Sequence, residues 1–400
     1  MKQKIMIFCD FYLPSYKSGG GMWTLVNLVD RFCDQYDFHI VTRNYDSKGD
    51  KKPYTTVKTD QWNQTGNAKV FYFSKKNFTQ KKFAELVNEV KPDAFFLNSA
   101  FATPVVKFLS ARRKKLFSPE IPIILATCGE MSKGALSVRP LKKKIFLQYA
   151  KTVNLYRNII WKGSFDSEKE EIKDVMGANV EVFVAPDLAP KRIIPDYSQA
   201  WKPFKEKGSL KLVFMSRLVR KKNIHYLLER LRFITEGRVN LDMVGPLEDQ
   251  EYWRECQEII KTLPKNVTVN PTGAFPKQED VLRKVAESHF FSMPTLNENF
   301  GYVFIEGLAA GCPLIISDRT VWDEIEQNNA GWRIALEDEQ TWIEKINYCI
   351  AMENDEYQAM SKAAREYSEK WLDDPKFDEA TAKVLDRALN EKANTAKITK

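Results

Sequence analysis

The stretch from Ser292 to Ile316 places the strongest limit on the fold of this 400-residue chain. An apolar run at residues 289–293 predicts a buried strand, and a polar turn follows it. A helix is predicted from about Gly301 to Ala310, and a second apolar strand follows a glycine and a proline that end the helix. Strand, helix and strand form one βαβ unit. Such a unit requires a parallel sheet and binds ligands at the carboxyl end of its strand.

Two acidic residues of this stretch, Glu298 and Glu306, lie eight positions apart. Helix geometry places Glu306 more than one turn below the helix N-terminus, with Glu298 above it. The backbone amides between them point towards the same space, and they belong to Asn299, Phe300, Gly301 and Tyr302. Amides at a helix start attract anions. The pattern therefore predicts a site for a phosphate ester with hydroxyl groups on both sides, such as a nucleotide sugar.

The run from Glu298-Asn-Phe-Gly to Glu306, with Gly-Leu-Ala-Ala-Gly-Cys-Pro after it, resembles a known signature. It is similar to the Glu-x7-Glu motif of the retaining glycosyltransferases of family 4, which have the GT-B fold. The resemblance implies two Rossmann-like α/β domains that face each other across a cleft. It also implies sugar transfer from a nucleoside diphosphate sugar, as in bacterial O-antigen, lipopolysaccharide, capsule and exopolysaccharide synthesis.

A second motif, Arg217 to Lys222, lies between a predicted strand at residues 211–215 and a predicted helix at 224–233. Both cations are expected at the carboxyl edge of the sheet. They resemble the Arg-x4-Lys pair that holds the donor diphosphate in the family. Two cationic side chains can neutralise a diphosphate without a metal, so we expect no metal and no cofactor. A basic helix start on the surface is the alternative.

The resemblance implies further donor contacts. Ala274 and Phe275 follow a strand and a glycine, where the family binds the nucleobase, although an ordinary turn fits them equally well. Gly20 and Gly21 end a glycine-rich first loop that resembles the loop closing over the donor diphosphate. On composition alone that loop is also compatible with a flexible turn.

The resemblance also implies roles. Glu298, Arg217 and Lys222 are the expected catalytic residues: Glu298 orients the donor sugar and the two cations stabilise the leaving group. Glu306 is expected to bind the ribose.

One position departs from the family pattern. Many relatives have a histidine where this chain has Cys128, so no role is assigned to that residue. Histidine catalysis is not expected, because His39 and His289 lie in apolar strand patterns and His225 opens a helix. Nearby, Glu130 and Lys133 are candidates for acceptor contact or for an exposed turn.

The predicted domains are residues 1–187, a linker at 188–208, a donor domain at 209–375, and a helix with a frayed tail at 376–400. That helix is expected to cross back to the first domain. The composition is 28% charged and 44% hydrophobic, and no run approaches the ~18 apolar residues of a membrane helix. Six scattered cysteines are typical of reduced core thiols, and we expect a cytoplasmic protein.

The charge is uneven: residues 1–200 hold 32 Lys/Arg and 20 Asp/Glu, whereas residues 201–400 hold 29 and 33. The excess is greatest from Lys69 to Lys115, where phenylalanines (Phe73, Phe78, Phe83) interleave with lysines. This pattern predicts docking on an anionic membrane surface, peripheral to the inner face of the membrane, with a glycan or lipid-linked acceptor. A solvated basic face over buried phenylalanines is the alternative. No nucleic-acid-binding motif accompanies the charge.

Two other functions remain open from the sequence. A sugar-nucleotide epimerase of the same fold would keep the phosphate site, but it normally needs acid and base groups in the first domain, and the scarcity of histidine argues against it. A catalytically silent subunit of this fold would bind the donor or a partner without turnover.

Overall fold

The computed structural model describes residues 2–15, 20–46, 52–190, 202–275, 277–298 and 300–398, without the side chains of residues 278 and 391–398. The chain forms two compact units. The first contains Met1–Pro190 and Pro375–Lys400, and the second contains Lys191–Asp374.

The first unit is built on an eight-stranded sheet, in the order β3-β4-β2-β1-β5-β6-β7-β8. The strands are β1 (Gln3–Phe8), β2 (Tyr36–Arg43), β3 (Trp62–Thr65), β4 (Ala68–Phe73), β5 (Ala94–Asn98), β6 (Ile123–Ala126), β7 (Ile160–Gly163) and β8 (Val182–Val184). All neighbours are parallel except β3 and β4. The continuous apolar runs of β1, β5 and β6 are buried, as expected for parallel strands covered on both faces.

Helices connect these strands: α1 (Gly20–Phe32), α2 (Gln80–Val90), α3 (Thr103–Arg113), α4 (Lys133–Ser137), α5 (Pro140–Thr152) and α6 (Asp166–Met176). Thr79 caps α2 by accepting a hydrogen bond from the Lys82 amide, and Lys91 ends it in the left-handed conformation. The apolar face of α2 (Phe83, Leu86 and Val87) is buried in the core.

The second unit has a six-stranded parallel sheet, in the order β11-β10-β9-β12-β13-β14. Its strands are β9 (Ser209–Met215), β10 (Arg238–Val244), β11 (Val267–Gly273), β12 (Phe290–Met293), β13 (Leu314–Ser317) and β14 (Gly331–Ile334). Its helices are α7 (Ile224–Leu231), α8 (Gln250–Ile260), α9 (Gln278–Ala286), α10 (Tyr302–Ala309), α11 (Glu339–Ala351) and α12 (Asn354–Leu372). Two parallel-sheet α/β units thus confirm the predicted fold class.

The last helix, α13, runs over Pro375–Ile398 and belongs to the first unit. Arg31 of α1 forms an ion pair with Asp378 at 2.9 Å. Arg387 forms another with Glu181 at 2.9 Å. The sequence predicted a tail frayed from about residue 391, but the helical backbone continues to Ile398.

Both ends of the segment predicted as a linker are buried, each against one of the two units. Leu188 and Ala189 are buried in the first unit, where their carbonyls accept hydrogen bonds from Asn27 and Arg31 of α1. Residues 191–201 lie outside the described residues. Lys205 is buried in the second unit and donates to the carbonyls of residues 350 and 352.

The phenylalanines of the basic stretch point into the core, which corrects the expectation that they meet a membrane. Phe73, Phe78 and Phe83 are buried together and their rings are in contact. Their burial leaves the lysines of this stretch without exposed aromatic partners. None of the helices in the described ranges is both long and apolar enough to cross a membrane.

Candidate functional site

The strand order of the second sheet locates its binding edge. From β9 the chain passes outwards through β10 to β11, and it then returns to the other side of β9 for β12. The order reverses between β9 and β12, and such a reversal opens a crevice at the carboxyl ends of the two strands. Arg217 follows β9 and Glu298 follows β12, so both residues lie at that edge.

Backbone contacts hold the two loops of this edge together. The amide of Leu296 donates to the carbonyl of Lys221 at 2.9 Å, and the Thr295 hydroxyl donates to the same carbonyl at 3.1 Å. The contact brings Lys222 against Glu298, and the two form an ion pair whose side chains are largely buried. The structure therefore joins the two sequence motifs at one point.

Arg217 takes part in a second ion pair. It contacts Glu248, in the loop after β10, at 3.0 Å, and both side chains are exposed. Sequence reasoning missed Glu248, because an acid in a polar loop carries no signal of its own.

The cations at this edge lie close enough to influence one another. Burial lowers the pKa of Lys221; the charges of Lys222 and Arg217 lower it further, whereas Glu298 opposes them. Three cations facing two carboxylates leave an excess of one positive charge, which favours an anionic ligand.

The start of α10 depends on Gly301. Its φ is +75°, and a Cβ placed there would lie 2.5 Å from the Phe304 ring and 2.8 Å from Cγ of Glu298. The Phe300 carbonyl accepts a hydrogen bond from the Trp322 indole at 2.8 Å, and the buried Phe300 ring packs on Trp322. These contacts fix the turn after Glu298. Tyr302 begins the helix, and Asn299 lies outside the described residues.

Glu306 lies in the second turn of α10. Burial raises the pKa of its carboxyl group from 4.5 to about 8. The group is therefore mostly protonated at neutral pH, so that it can donate a hydrogen bond as well as accept one.

The predicted nucleobase contacts follow β11. The Gly273 carbonyl accepts a hydrogen bond from the Gly245 amide at 2.8 Å, which ties this loop to the one after β10. Ala274 is exposed and Phe275 is partly buried. Both lie at the same sheet edge as Arg217, two strands away from it.

The first sheet has a comparable reversal between β1 and β5. The Asn98 amide, at the end of β5, donates to the Gly21 carbonyl at 2.8 Å, and the Cys128 thiol donates to the Asn98 side-chain oxygen at 3.1 Å. Gly20 is exposed at the first position of α1. The sequence analysis did not identify Asn98 as a site residue, although a polar residue at the end of an apolar strand often indicates one.

Cys128 is in the left-handed conformation, with φ +52°. Burial raises the pKa of its thiol well above the usual value, so the group is not a thiolate at neutral pH. The structure accordingly gives Cys128 a packing and hydrogen-bonding position.

The two acceptor candidates differ in their surroundings. Glu130 accepts hydrogen bonds from the Ser99 hydroxyl and the Phe101 amide, and burial raises the pKa of its carboxyl group. Lys133 is exposed at the start of α4. Of these two residues, Lys133 is therefore the one that is oriented towards solvent.

All three histidines are perturbed by burial. Burial lowers the pKa of His39, His225 and His289, that of His289 to about 3. His289 accepts a hydrogen bond from the Lys211 amide. Within the described ranges, no group of three or more His, Cys, Asp or Glu side chains is placed to hold a metal ion.

Residues 198–367 match the family model described as Glycosyl transferases group 1. This matched segment includes Arg217, Lys222, Glu298 and Glu306. No curated protein sequence matches the chain.

Several solved structures share the fold of the whole chain. HepE of Anabaena, solved with UDP and glucose, is 15% identical, has a TM-score of 0.67, and covers 96% of this chain and 100% of its own. Sucrose-phosphate synthase of Thermosynechococcus elongatus is 15% identical with a TM-score of 0.68, and the coverage is 99% and 100%. WaaG, a glycosyltransferase involved in lipopolysaccharide biosynthesis, is 12% identical with a TM-score of 0.61, and the coverage is 91% and 95%. These structures confirm the GT-B fold.

Proposed function

We propose that this protein is a retaining glycosyltransferase that moves a sugar from a nucleoside diphosphate sugar to a glycan or lipid-linked acceptor in surface polysaccharide synthesis. The observation that carries the proposal is the meeting of Lys222 and Glu298 at the reversal point of the second sheet, with Arg217 on the same edge. The group 1 domain and the UDP-bound neighbour support a nucleotide sugar as the donor.

The donor diphosphate would replace carboxylates that already hold the two cations. Without donor, Arg217 is paired with Glu248 and Lys222 with Glu298. An exposed ion pair stabilises a protein by about 0–1 kcal/mol, so the Arg217 pair gives way at little cost. A diphosphate held by both cations develops less unfavourable charge as it leaves, and this needs no metal.

Release of Lys222 would change the state of Glu298. Once the lysine binds phosphate, the Glu298 carboxylate is available for hydroxyl groups of the donor sugar. Its negative charge then stabilises the positive charge that develops on the sugar ring. Glu306, protonated in the free enzyme, would bind the ribose.

Donor binding tests the site directly. UDP-glucose, GDP-mannose and ADP-glucose are compared by thermal shift in excess chelator, since a ligand at 100 times its Kd adds about 2.7 kcal/mol to stability. We expect one nucleobase to stabilise the protein without added metal. Stabilisation only after magnesium or manganese is restored would contradict the metal-free clamp.

Arg217→Ala and Arg220→Ala make a matched pair. Arg220 lies in the same loop but is held by Glu255 at 2.5 and 2.7 Å. Loss of a charge-assisted contact of about 1.5–3 kcal/mol predicts a nucleoside diphosphate affinity roughly 10- to 100-fold lower for Arg217→Ala and near wild type for Arg220→Ala. Equal losses would place the clamp elsewhere.

Turnover distinguishes transfer from silent binding. Glu298→Gln should lower turnover far more than donor affinity, because its charge matters most in the transition state. Measuring product formation, donor hydrolysis and the anomeric configuration of the product by NMR also separates retaining transfer from epimerisation. An inverted product, or binding with no turnover on any donor, would overturn the proposal.

A further inference from the structure

The outer face of α5 exposes a continuous apolar stripe. Leu141, Ile145 and Tyr149 are 71%, 61% and 52% exposed, and Val138, just before the helix, is 62% exposed. Ten large hydrophobic side chains are exposed in the described part of the chain, and four of them lie in this short segment. Such clustering marks an interaction surface rather than scattered surface residues.

The stripe follows helix geometry. Leu141, Ile145 and Tyr149 are four positions apart, and successive members of such a series lie roughly 40° apart around the axis. The opposite face packs inwards, where Ala150 is buried and the Phe146 ring contacts Phe101. The helix therefore has one face in the protein and another apolar face in solvent.

Basic residues flank the stripe on both sides. Lys142 lies on one side of it and Lys144 and Lys151 lie on the other, and all three are exposed. Lys143 instead turns inwards and donates to the Ala135 carbonyl at 2.6 Å. The exposed lysines are therefore positioned around the apolar stripe rather than across it.

The surrounding chain carries charge of only one sign. Residues 131–165 contain eight Lys/Arg and no Asp/Glu. An apolar stripe between cationic side chains is the pattern of a helix that lies in the interface of an anionic bilayer.

Beside the stripe, an open groove of about 580 Å³ lies between α5 and α6. Its lining includes Leu136, Leu147 and Val175, the lysines Lys144 and Lys151, and one acid, Asp174. At the other end of the segment, α4 and α5 follow the Cys128 loop at the carboxyl edge of the first sheet. A ligand or membrane that binds the α5 stripe would therefore lie next to the carboxyl edge of the first sheet.

We propose that Val138 and the α5 stripe dock the protein on an anionic membrane surface. This location differs from the Lys69–Lys115 stretch, whose phenylalanines are buried. The proposal is independent of the proposed sugar transfer, because docking requires no turnover.

Vesicle binding of the full chain provides the test. The wild type should co-sediment with vesicles containing phosphatidylglycerol, bind phosphatidylcholine vesicles weakly, and lose binding at high salt. Leu141→Ser/Ile145→Ser/Tyr149→Ser should abolish this binding. Lys142→Gln/Lys144→Gln/Lys151→Gln should lower the partition coefficient by about fivefold per lysine, on the order of a hundredfold in total.

Two controls locate the effect. Phe233→Ser removes an aromatic ring that is 62% exposed on the second unit and should leave binding unchanged. Lys75→Gln/Lys76→Gln/Lys81→Gln/Lys82→Gln removes charge from the other basic stretch and should cost less than the α5 lysine variant.

Hydrogen exchange of the wild type should show protection of residues 138–152 on vesicles. Three results would overturn the proposal: no binding of the wild type to anionic vesicles, wild-type binding by the α5 variants, or α5 variants that change only the oligomeric state. Thermal melting and nucleotide binding of each variant confirm that the fold is retained.

Discussion

Lys222 and Glu298 face each other with little access to water, and this arrangement makes each depend on the other. Removing one partner of a buried ion pair leaves a charge without compensation. Under the proposed function, a diphosphate would keep Lys222 paired with an anion, whereas the Glu298 carboxylate would need hydroxyl groups of the donor sugar as its new partners. At the residue scale, donor binding would therefore exchange the partners of both charges together.

Glu306 gives a pH prediction at the same scale. Burial raises the pKa of its carboxyl group from 4.5 to about 8 in the folded protein. Between about pH 4.5 and about 8 the unfolded chain loses this proton while the folded protein keeps it. The free energy of unfolding therefore falls as the pH rises from about 4.5 through about 8. Glu306→Gln cannot ionise, so its melting temperature should improve relative to wild type as the pH rises across that window.

Melting curves of Glu306→Gln across this pH range provide the check. Glu369→Gln, which changes an exposed glutamate of α12, is the control and should follow the wild type at every pH. A constant difference between Glu306→Gln and wild type would mean that Glu306 ionises normally in the folded protein.

Residue spacing predicted that Lys222 and Glu298 each lie at the carboxyl end of a parallel strand, but it did not predict the ion pair between them. It did not predict Glu248 or Asn98. Glu248 acquires its role only through contact with Arg217, and Asn98 through contact with Gly21 and Cys128. Partners of this kind depend on tertiary structure that local sequence does not encode.

At the scale of elements, apolar patterning identified most strands but missed β3, β14 and β7. For β7 the physical reason is visible. Its sequence contains Lys162, which reads as exposed, yet the side chain is buried and paired with Asp187 at 3.1 Å. The same limitation affected the membrane prediction. Phenylalanines among lysines resembled an exposed face, but β4 is buried along nearly its whole length and the apolar face of α2 is buried as well, so Phe73 and Phe83 lie in the core.

The turn before α10 provides the element-scale prediction. Gly301→Ala would add a Cβ that overlaps the Phe304 ring and Glu298, in addition to the strain of a positive φ. Gly66 also has a positive φ, +56°, but has nothing within 4 Å of its Cβ position. Gly66→Ala should cost about 1 kcal/mol of unfolding free energy, and Gly301→Ala should cost more and also weaken nucleotide binding.

Denaturant unfolding and nucleotide titration of the two alanine variants measure these effects. Equal losses of stability with unchanged nucleotide affinity would show that the turn tolerates the added methyl group. In that case the close packing around Gly301 would have no part in shaping the site.

At the scale of the whole molecule, the chain does not divide into units at a single point. It leaves the first unit after Pro190, forms the second, and returns through α13 to the first. The returning helix contacts β5 and β6 and buries Leu385 and Val384. The stability of the first sheet thus depends on residues that follow the second unit in sequence.

Leu385→Ala tests this dependence, with Lys383→Ala, an exposed change in the same helix, as its control. Truncation of a buried leucine costs about 2–5 kcal/mol, and the loss should fall on the first unit. Hydrogen exchange should speed up at Ala94–Asn98 and Ile123–Ala126 in Leu385→Ala, whereas Ser209–Met215 of the second unit should exchange as in the wild type. Faster exchange confined to α13 itself would mean that the helix adds little to the first sheet, and equal acceleration in both sheets would mean that the two units unfold together.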